Sequence, residues 1–291
     1  MSVTLPRIVE MRLDEWPMQA LEAALEFRPP QAEALRDVPP LWHWLYFLRT
    51  ARRSQMGVDG HPADPDLVDP ADPRRRMFAS ARVHFERPLE LGHTASMRES
   101  ILRTRDTQGR AGPLRIVTFE YQYHQHGELC IREERDIVYL PGAAGANAGG
   151  AAGANAAGAN AGGAAGANAA GTGGAEPPTG SITVFTPDPV LLFRFSALTF
   201  NAHRIHYDQR YAQETEGYRE RIVHGPLIAI LLAELLRGRE LGRPRRFEFR
   251  AQQPLFVNEP IRLSCTTAGD QITLRAVNPS GAIAMEAHAW M

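Results

Sequence analysis

The residues best suited to chemistry cluster in one stretch. His206 closes the run Asn201-Ala202-His203-Arg204-Ile205-His206-Tyr207-Asp208, and Gly225 stands between His224 and Pro226. An imidazole titrates near neutral pH, so His206 is a candidate general base that activates a water. Gly225-Pro226 opens an apolar run, and Pro is favoured in the first turn of a helix. Backbone N–H groups at a helix start have no helical partner, and the dipole favours negative charge there. A glycine also lets a ligand approach closely. Together, an imidazole and a helix start suit a reaction in which water loses a proton while charge builds on an oxygen. The same residues carry blander readings. His224 could cap the helix, Gly225 could be a turn glycine, and His203 and Arg204 could be ordinary loop residues. His206-x-Asp208 also matches part of a non-haem iron triad, with His224 or His288 as the distant ligand.

These residues need elements to position them. Leu227 to Leu236 has one polar residue, Glu234, in ten. A helix apolar all round must be surrounded, and this one is predicted to run from Gly225-Pro226 to Gly238. Alternating runs follow at Phe247–Ala251, Ile261–Cys265, Ile272–Ala276 and Ile283–Ala287, with turns at Gly269-Asp270 and Asn278–Gly281. The pattern predicts an antiparallel meander wrapped round the helix. The first half repeats the plan. A Pro-started apolar helix is predicted over Pro39–Leu48, then strands over Met77–Phe85, His93–Thr104, Leu114–Tyr123 and Leu129–Tyr139. Pairing the two sheets would hide an edge strand of each.

Composition narrows the function classes. The chain has 291 residues and net charge −1, and all 32 of its Lys-plus-Arg cations are Arg. Having no lysine excludes a Schiff-base lysine, a pyridoxal-phosphate anchor and a Walker A loop. Balanced charge argues against nucleic acid as a partner. Two cysteines, Cys130 and Cys265, make neither a disulfide framework nor a cysteine-only zinc site, which suits a reducing compartment. No signal peptide or membrane-length apolar run is evident, so a cytoplasmic location is expected. From Gly142 to Ala175 the chain is Gly, Ala and Asn with one Thr, and Asn147 recurs as Asn160 and Asn155 as Asn168. Glycine at this density opposes a helix, so a flexible tether reaching roughly 30–35 Å is expected. It separates an N-terminal half, 1–141, from a C-terminal half, 176–291.

The run Phe195 to Asp208, with Tyr211 and Ile222-Val223-His224-Gly225-Pro226-Leu227, resembles the hydratase motif of MaoC-like hot-dog proteins. Within them it is most similar to the double hot-dog branch of mesaconyl-C4-CoA and itaconyl-CoA hydratases. Pro39–Trp44, Gly57-Val58-Asp59-Gly60-His61-Pro62, Arg75–Phe78, Gly112–Leu114 and Asp136–Tyr139 fit the same branch. The resemblance covers both halves. It implies an α+β double hot-dog whose N-terminal half is degenerate and whose C-terminal half carries the motif. It implies acyl-CoA as substrate partner, no metal or redox cofactor, and a monomeric double hot-dog or homodimer.

The general family motif has Asp, then Asn two later, then His five later. Here Asn201, His203 and His206 hold those places, and Arg204 replaces a Pro. Asn cannot titrate, so the group that shares the water with His206 is open; Asp208 is a candidate if its loop turns inward. On this resemblance His206 activates water, Asn201 orients it, and Gly225 is the oxyanion-hole donor. A free acyl carboxylate would need a cation, for which Arg204 and Arg221 are candidates, with His224 and Leu227 beside the substrate. Arg74-Arg75-Arg76 could meet CoA phosphates or be a solvated run balanced by Asp69 and Asp72. Trp42, Trp44, Tyr46 and Phe47 could line an acyl tunnel or fill core. The expected activity is reversible hydration of a short branched enoyl-CoA. A fatty-acid-type 3-hydroxyacyl-thioester dehydratase, an acyl-CoA thioesterase and a non-catalytic acyl-CoA binding module are the alternatives.

Overall fold

Strand alternation and one apolar helix account for most of the architecture. The computed structural model describes residues 6–26, 36–63, 74–109, 112–141 and 182–291. The predicted tether lies outside these residues. In the first half, β1 (Arg7–Arg12) and α1 (Trp16–Leu25) precede β2 (Arg74–Phe85), β3 (Thr94–Gly109), β4 (Gly112–Gln125) and β5 (Glu128–Pro141). The second half contains β6 (Ile182–Phe185), α2 (Pro189–Leu198), α3 (Gly225–Gly238), β7 (Arg246–Ala251), β8 (Ile261–Ala268), β9 (Gln271–Val277) and β10 (Ile283–Trp290).

All ten strands form one antiparallel sheet in the order β1-β3-β4-β5-β2-β7-β10-β9-β8-β6. The halves join at β2 and β7, where Ala81 faces Phe249 and Val83 faces Phe247. This is the sheet pairing expected from sequence. It leaves β1 and β6 as the outermost strands.

The second half follows its apolar pattern closely. Residues Leu227 to Ala233 of α3 are all buried, and the helix packs on β8, β9 and β10. On β10 the inward residues Ala287 and Ala289 are small, which lets a helix lie close to the sheet. The polar exception, Glu234, accepts the Trp42 Nε1–H at 2.8 Å and the Arg237 Nε–H at 2.7 Å. A buried carboxylate with both oxygens bonded avoids most of the penalty that an unpaired one would carry.

The predicted helix over Pro39–Leu48 is absent. The chain makes only a 3-10 turn over Trp42–Leu45, bracketed by left-handed residues Leu41 (φ 69°) and Phe47 (φ 57°). Tertiary bonds explain the departure. Trp42 is tied to Glu234 on α3, whereas His43 and Trp44 donate to Glu133 on β5 at 3.1 and 3.0 Å. Segment polarity therefore overrides the apolar count. The helix of this half is α1, which sequence analysis missed; it packs on α2 and on the 3-10 turn.

Phe247 sits fully buried at the junction of the halves. Phe247→Ala is expected to lower unfolding free energy by about 3–5 kcal/mol, read from urea denaturation. A loss under about 1 kcal/mol would show that the junction is not part of the core.

Candidate active site

The start of α3 and the loop after α2 meet at one cavity of about 860 Å³. Pro226 in the first turn fixes the helix start, and Gly225 supplies its first amide at the cavity wall. A Cβ on Gly225 would stand 3.2 Å from Phe78, so little room remains for a side chain there.

His206 ends a short 3-10 turn (Arg204–His206) and lines the same cavity. Its Nδ1 lies 2.7 Å from the Ile222 carbonyl, which accepts only from a protonated nitrogen. That contact assigns the tautomer and leaves Nε2 as the basic atom, with no protein hydrogen bond. Behind it, the His224 ring stacks at 3.6 Å and 20°. His224 Nε2 pairs with Ser196 Oγ at 2.9 Å, while its Nδ1 is buried without a partner. The side chain does not cap the helix. His224 therefore backs the imidazole and does not line the cavity.

Two further histidines complete a cluster. The His203 ring meets His206 edge-on at 5.5 Å, and the His61 ring lies 4.4 Å from His203. His61 comes from the first half, within the Gly57–Pro62 motif. Gly60 there adopts φ 85°, and a Cβ would fall 1.9 Å from the Ala202 carbonyl. Arg204 N–H donates to the Asp59 carbonyl at 2.8 Å. The two motifs thus dock backbone to backbone. His61 is a site residue that the sequence reading quoted without assigning a role.

Burial disfavours charge on every ring in this cluster. It pushes the His206 pKa down to about 4, against the opposing pull of the Ile222 carbonyl. His203 falls to about 2 through burial, His206 and Arg76. His61 and His224 also lie well below the ordinary value, first through burial, then through Arg76 at His61 and through the other histidines at both. The site is a neutral imidazole array at neutral pH.

Several expectations from sequence need correction. Asp208 does not turn inward; it pairs with Arg204 at 2.8 Å and accepts the Tyr211 N–H at 3.0 Å. His224 stacks on His206, but Asp208 is held by Arg204 and His288 lies on β10 against Thr273 and Glu286, so His206, Asp208 and a distant histidine do not form the iron triad weighed from sequence. Among the described residues no group of His, Cys, Asp and Glu is arranged to hold a metal. Arg204 lies over the Tyr211 ring at 4.1 Å and Arg221 pairs with Glu220 at 3.0 Å, both outside the cavity lining. Leu227 is core, directed away from the cavity wall that Gly225, Pro226 and Ile228 form. Asn201 does line the cavity, but its Oδ1 accepts the His203 N–H at 3.0 Å, leaving the amide NH₂ as its free donor. Trp44, Tyr46 and Phe47 face the cavity, whereas Trp42 is core. Of the Arg74–Arg76 run, Arg76 also faces the cavity; the side chains of Arg74 and Arg75, like Asp69 and Asp72, lie outside the described residues.

A helix embraced by half of a continuous antiparallel sheet, with a histidine facing the helix start, is the double hot-dog arrangement of MaoC-like dehydratases. A MaoC-like dehydratase from Phytophthora capsici superposes with a TM-score of 0.68 at 14% identity, over 100% of this chain and 96% of that one. HtdX of Mycobacterium tuberculosis gives 0.66 at 16% identity, over 98% and 99%. The profile of the family "Hydroxyacyl-thioester dehydratase type 2" matches residues 41–257, and the chain belongs to that family of hydro-lyases. It is 46% identical to the mesaconyl-C(4)-CoA hydratase of Chloroflexus aurantiacus, over 92% of this chain and 90% of that one. The mitochondrial type 2 dehydratase of Schizosaccharomyces pombe is 28% identical over 89% of each. Among the described residues no helix is long and apolar enough to cross a membrane.

Two outcomes follow from this geometry. Gly60→Ala, forced against the Ala202 carbonyl at positive φ, is expected to cost about 1–3 kcal/mol in strain and to lower activity, with both read from melting and turnover. Retention of wild-type values would show that the docking is loose. The second concerns pH. Unfolded histidines bind protons below about 6.5, whereas the buried ones resist until lower pH, so the unfolded state gains protons first and stability falls with acid. The urea midpoint is therefore expected to drop between pH 7.5 and pH 5, and an unchanged midpoint would contradict a neutral cluster.

Proposed function

We propose that the protein catalyses the reversible hydration of a short, branched enoyl-CoA with a free carboxylate, preferably mesaconyl-C4-CoA giving citramalyl-CoA. Itaconyl-CoA is the second acyl group to test. The observation that carries the reading is the joint exposure of the His206 imidazole and the Gly225 amide to one cavity. The relative at 46% identity bears the name of this activity.

In this reading the thioester oxygen lies against the Gly225 N–H at the α3 start. Water addition to the β-carbon pushes charge onto that oxygen, and the fixed amide and helix dipole stabilise the enolate more than the neutral thioester. His206 Nε2 takes a proton from the attacking water, and Nδ1–H shares the growing positive charge with the Ile222 carbonyl. The proton is then returned to the α-carbon, so one water adds as H and OH. The depressed pKa makes neutral His206 a modest base but its protonated form a strong acid, which favours the return step. Asn201 supplies an amide donor that orients water without exchanging protons. Asn201 stands where the family motif has its carboxylate, and the His203 ring meets His206 edge-on at 5.5 Å.

His206→Gln and His206→Ala are expected to cut turnover by about 10²–10⁴-fold with melting intact. The assay follows loss of the conjugated double bond across enoyl-CoA esters with and without a distal carboxylate. Near-full activity in either variant would remove His206 from the mechanism. Release of free thiol by the wild-type protein would favour a thioesterase instead, and tight ester binding without turnover would favour a binding module.

A further inference from the structure

The substrate class of that site demands a cation, and the sequence candidates Arg204 and Arg221 both lie outside the cavity. The inner face of the first-half sheet offers others. Arg7 pairs with Glu99 at 3.0 Å. Arg135 pairs with Glu133 at 2.8 Å and lies 4.5 Å over the Tyr121 ring. Arg76, on β2, differs from both. Among the described residues its side chain meets one hydrogen-bonding group, the His61 ring at 3.3 Å from Nη1, and no carboxylate lies within ion-pair distance. Its Nε is buried with no partner at all. Its charge is felt at Asp59, whose Oδ1 accepts the His61 N–H at 3.0 Å.

A half-buried guanidinium without a counter-ion is unfavourable unless a ligand supplies one. Arg76 also stands at the right depth. It touches His61, His61 lies against His203, and His203 meets the edge of His206. In mesaconyl-C4-CoA the free carboxylate sits on the carbon that receives the hydroxyl, so it must lie within a bond or two of the water held by His206. We propose that Arg76 is the residue that binds the distal carboxylate of the acyl group, as a two-pronged guanidinium contact, and thereby selects dicarboxylic over simple acyl-CoA esters. The inference rests on the hydratase reading for the acyl class and for the orientation of the thioester. The guanidinium is planar and cannot lose its proton, which suits a carboxylate better than a lysine would. Bound carboxylate also offsets the Arg76 charge, which opposes protonation of His203 and His61, while burial, the larger cause, keeps both rings neutral.

The test measures binding, not turnover. Methylsuccinyl-CoA, esterified at carbon 4, and isovaleryl-CoA differ by a carboxylate in place of a methyl, and neither has a double bond to hydrate. Dissociation constants are measured calorimetrically for the wild-type protein, Arg76→Gln, Arg76→Lys and Arg135→Gln. The wild-type protein is expected to prefer the carboxylate ester by about 10- to 100-fold, the range for a hydrogen-bonded charge. Arg76→Gln is expected to reduce that preference to within about threefold, and Arg76→Lys, which keeps charge without the fork, to an intermediate value. No preference in the wild-type protein overturns the proposal, as does a preference retained in Arg76→Gln or lost only in Arg135→Gln. If Arg76→Gln fails to fold, full retention of the preference in Arg76→Lys overturns the two-pronged contact. Failure of the hydratase reading would show separately, as an unchanged conjugated double bond in wild-type assays.

Discussion

The bond between His206 Nδ1 and the Ile222 carbonyl organises the site. It chooses one tautomer, turns Nε2 toward the cavity, and ties the motif loop to the segment that leads into α3. Ile222 N–H returns a bond to the Ile205 carbonyl at 3.0 Å, so the two segments hold each other in register. The imidazole and the helix-start amide are thereby placed by the same short ladder. A shift of either would part the His206 ring from the Gly225 amide, and the rest of the molecule is the frame that prevents such a shift.

That frame draws on both halves. The second half supplies His206 and Gly225, while the first supplies His61, the Gly60 contact on Ala202, and most of the aromatic wall. The wall is itself electrostatically organised. Glu133 is fully buried, and burial alone would raise its pKa, yet Arg135 and the donors His43 and Trp44 hold it well down. Tyr121 beside them is pushed up to about 12, mainly by burial, so it stays neutral. Charges in this region are fixed by pairs, and the exception stands nearest the histidines.

Much of the architecture was legible because its causes are local. The strands of the second half announce themselves by alternation, and α3 by Gly-Pro at one end and nine apolar residues within. The two-sheet union followed from the need to cover edges. The failures had non-local causes. Pro39–Leu48 reads as a helix until Glu133 and Glu234, distant in sequence, claim its indole and imidazole N–H groups. Strand β6 has only four residues, and in β1 the exposed Ile8 beside Val9 breaks the apolar alternation. The structure brings His206, Asn201 and Gly225, singled out by motif and spacing, to one cavity. The approach of His61 and Arg76 to the same histidines was not legible, because nothing in a linear reading brings position 61 or 76 to position 203. Asp208 misled for the opposite reason: proximity in sequence is no guide to the side of a loop on which a carboxylate emerges, and Arg204, four residues before it, captures it.

The inequality of the two halves has a consequence for stoichiometry. A pair of identical halves would carry two equivalent centres by symmetry. Here the first half opposes its partner with a tied 3-10 turn, where the second has a glycine-started helix. On the proposed mechanism each chain holds one reacting centre, and the first half is free to diverge as a template for the acyl group. Changes in substrate preference among relatives should therefore accumulate on β2, β4 and β5, leaving the water-activating machinery of the other half untouched.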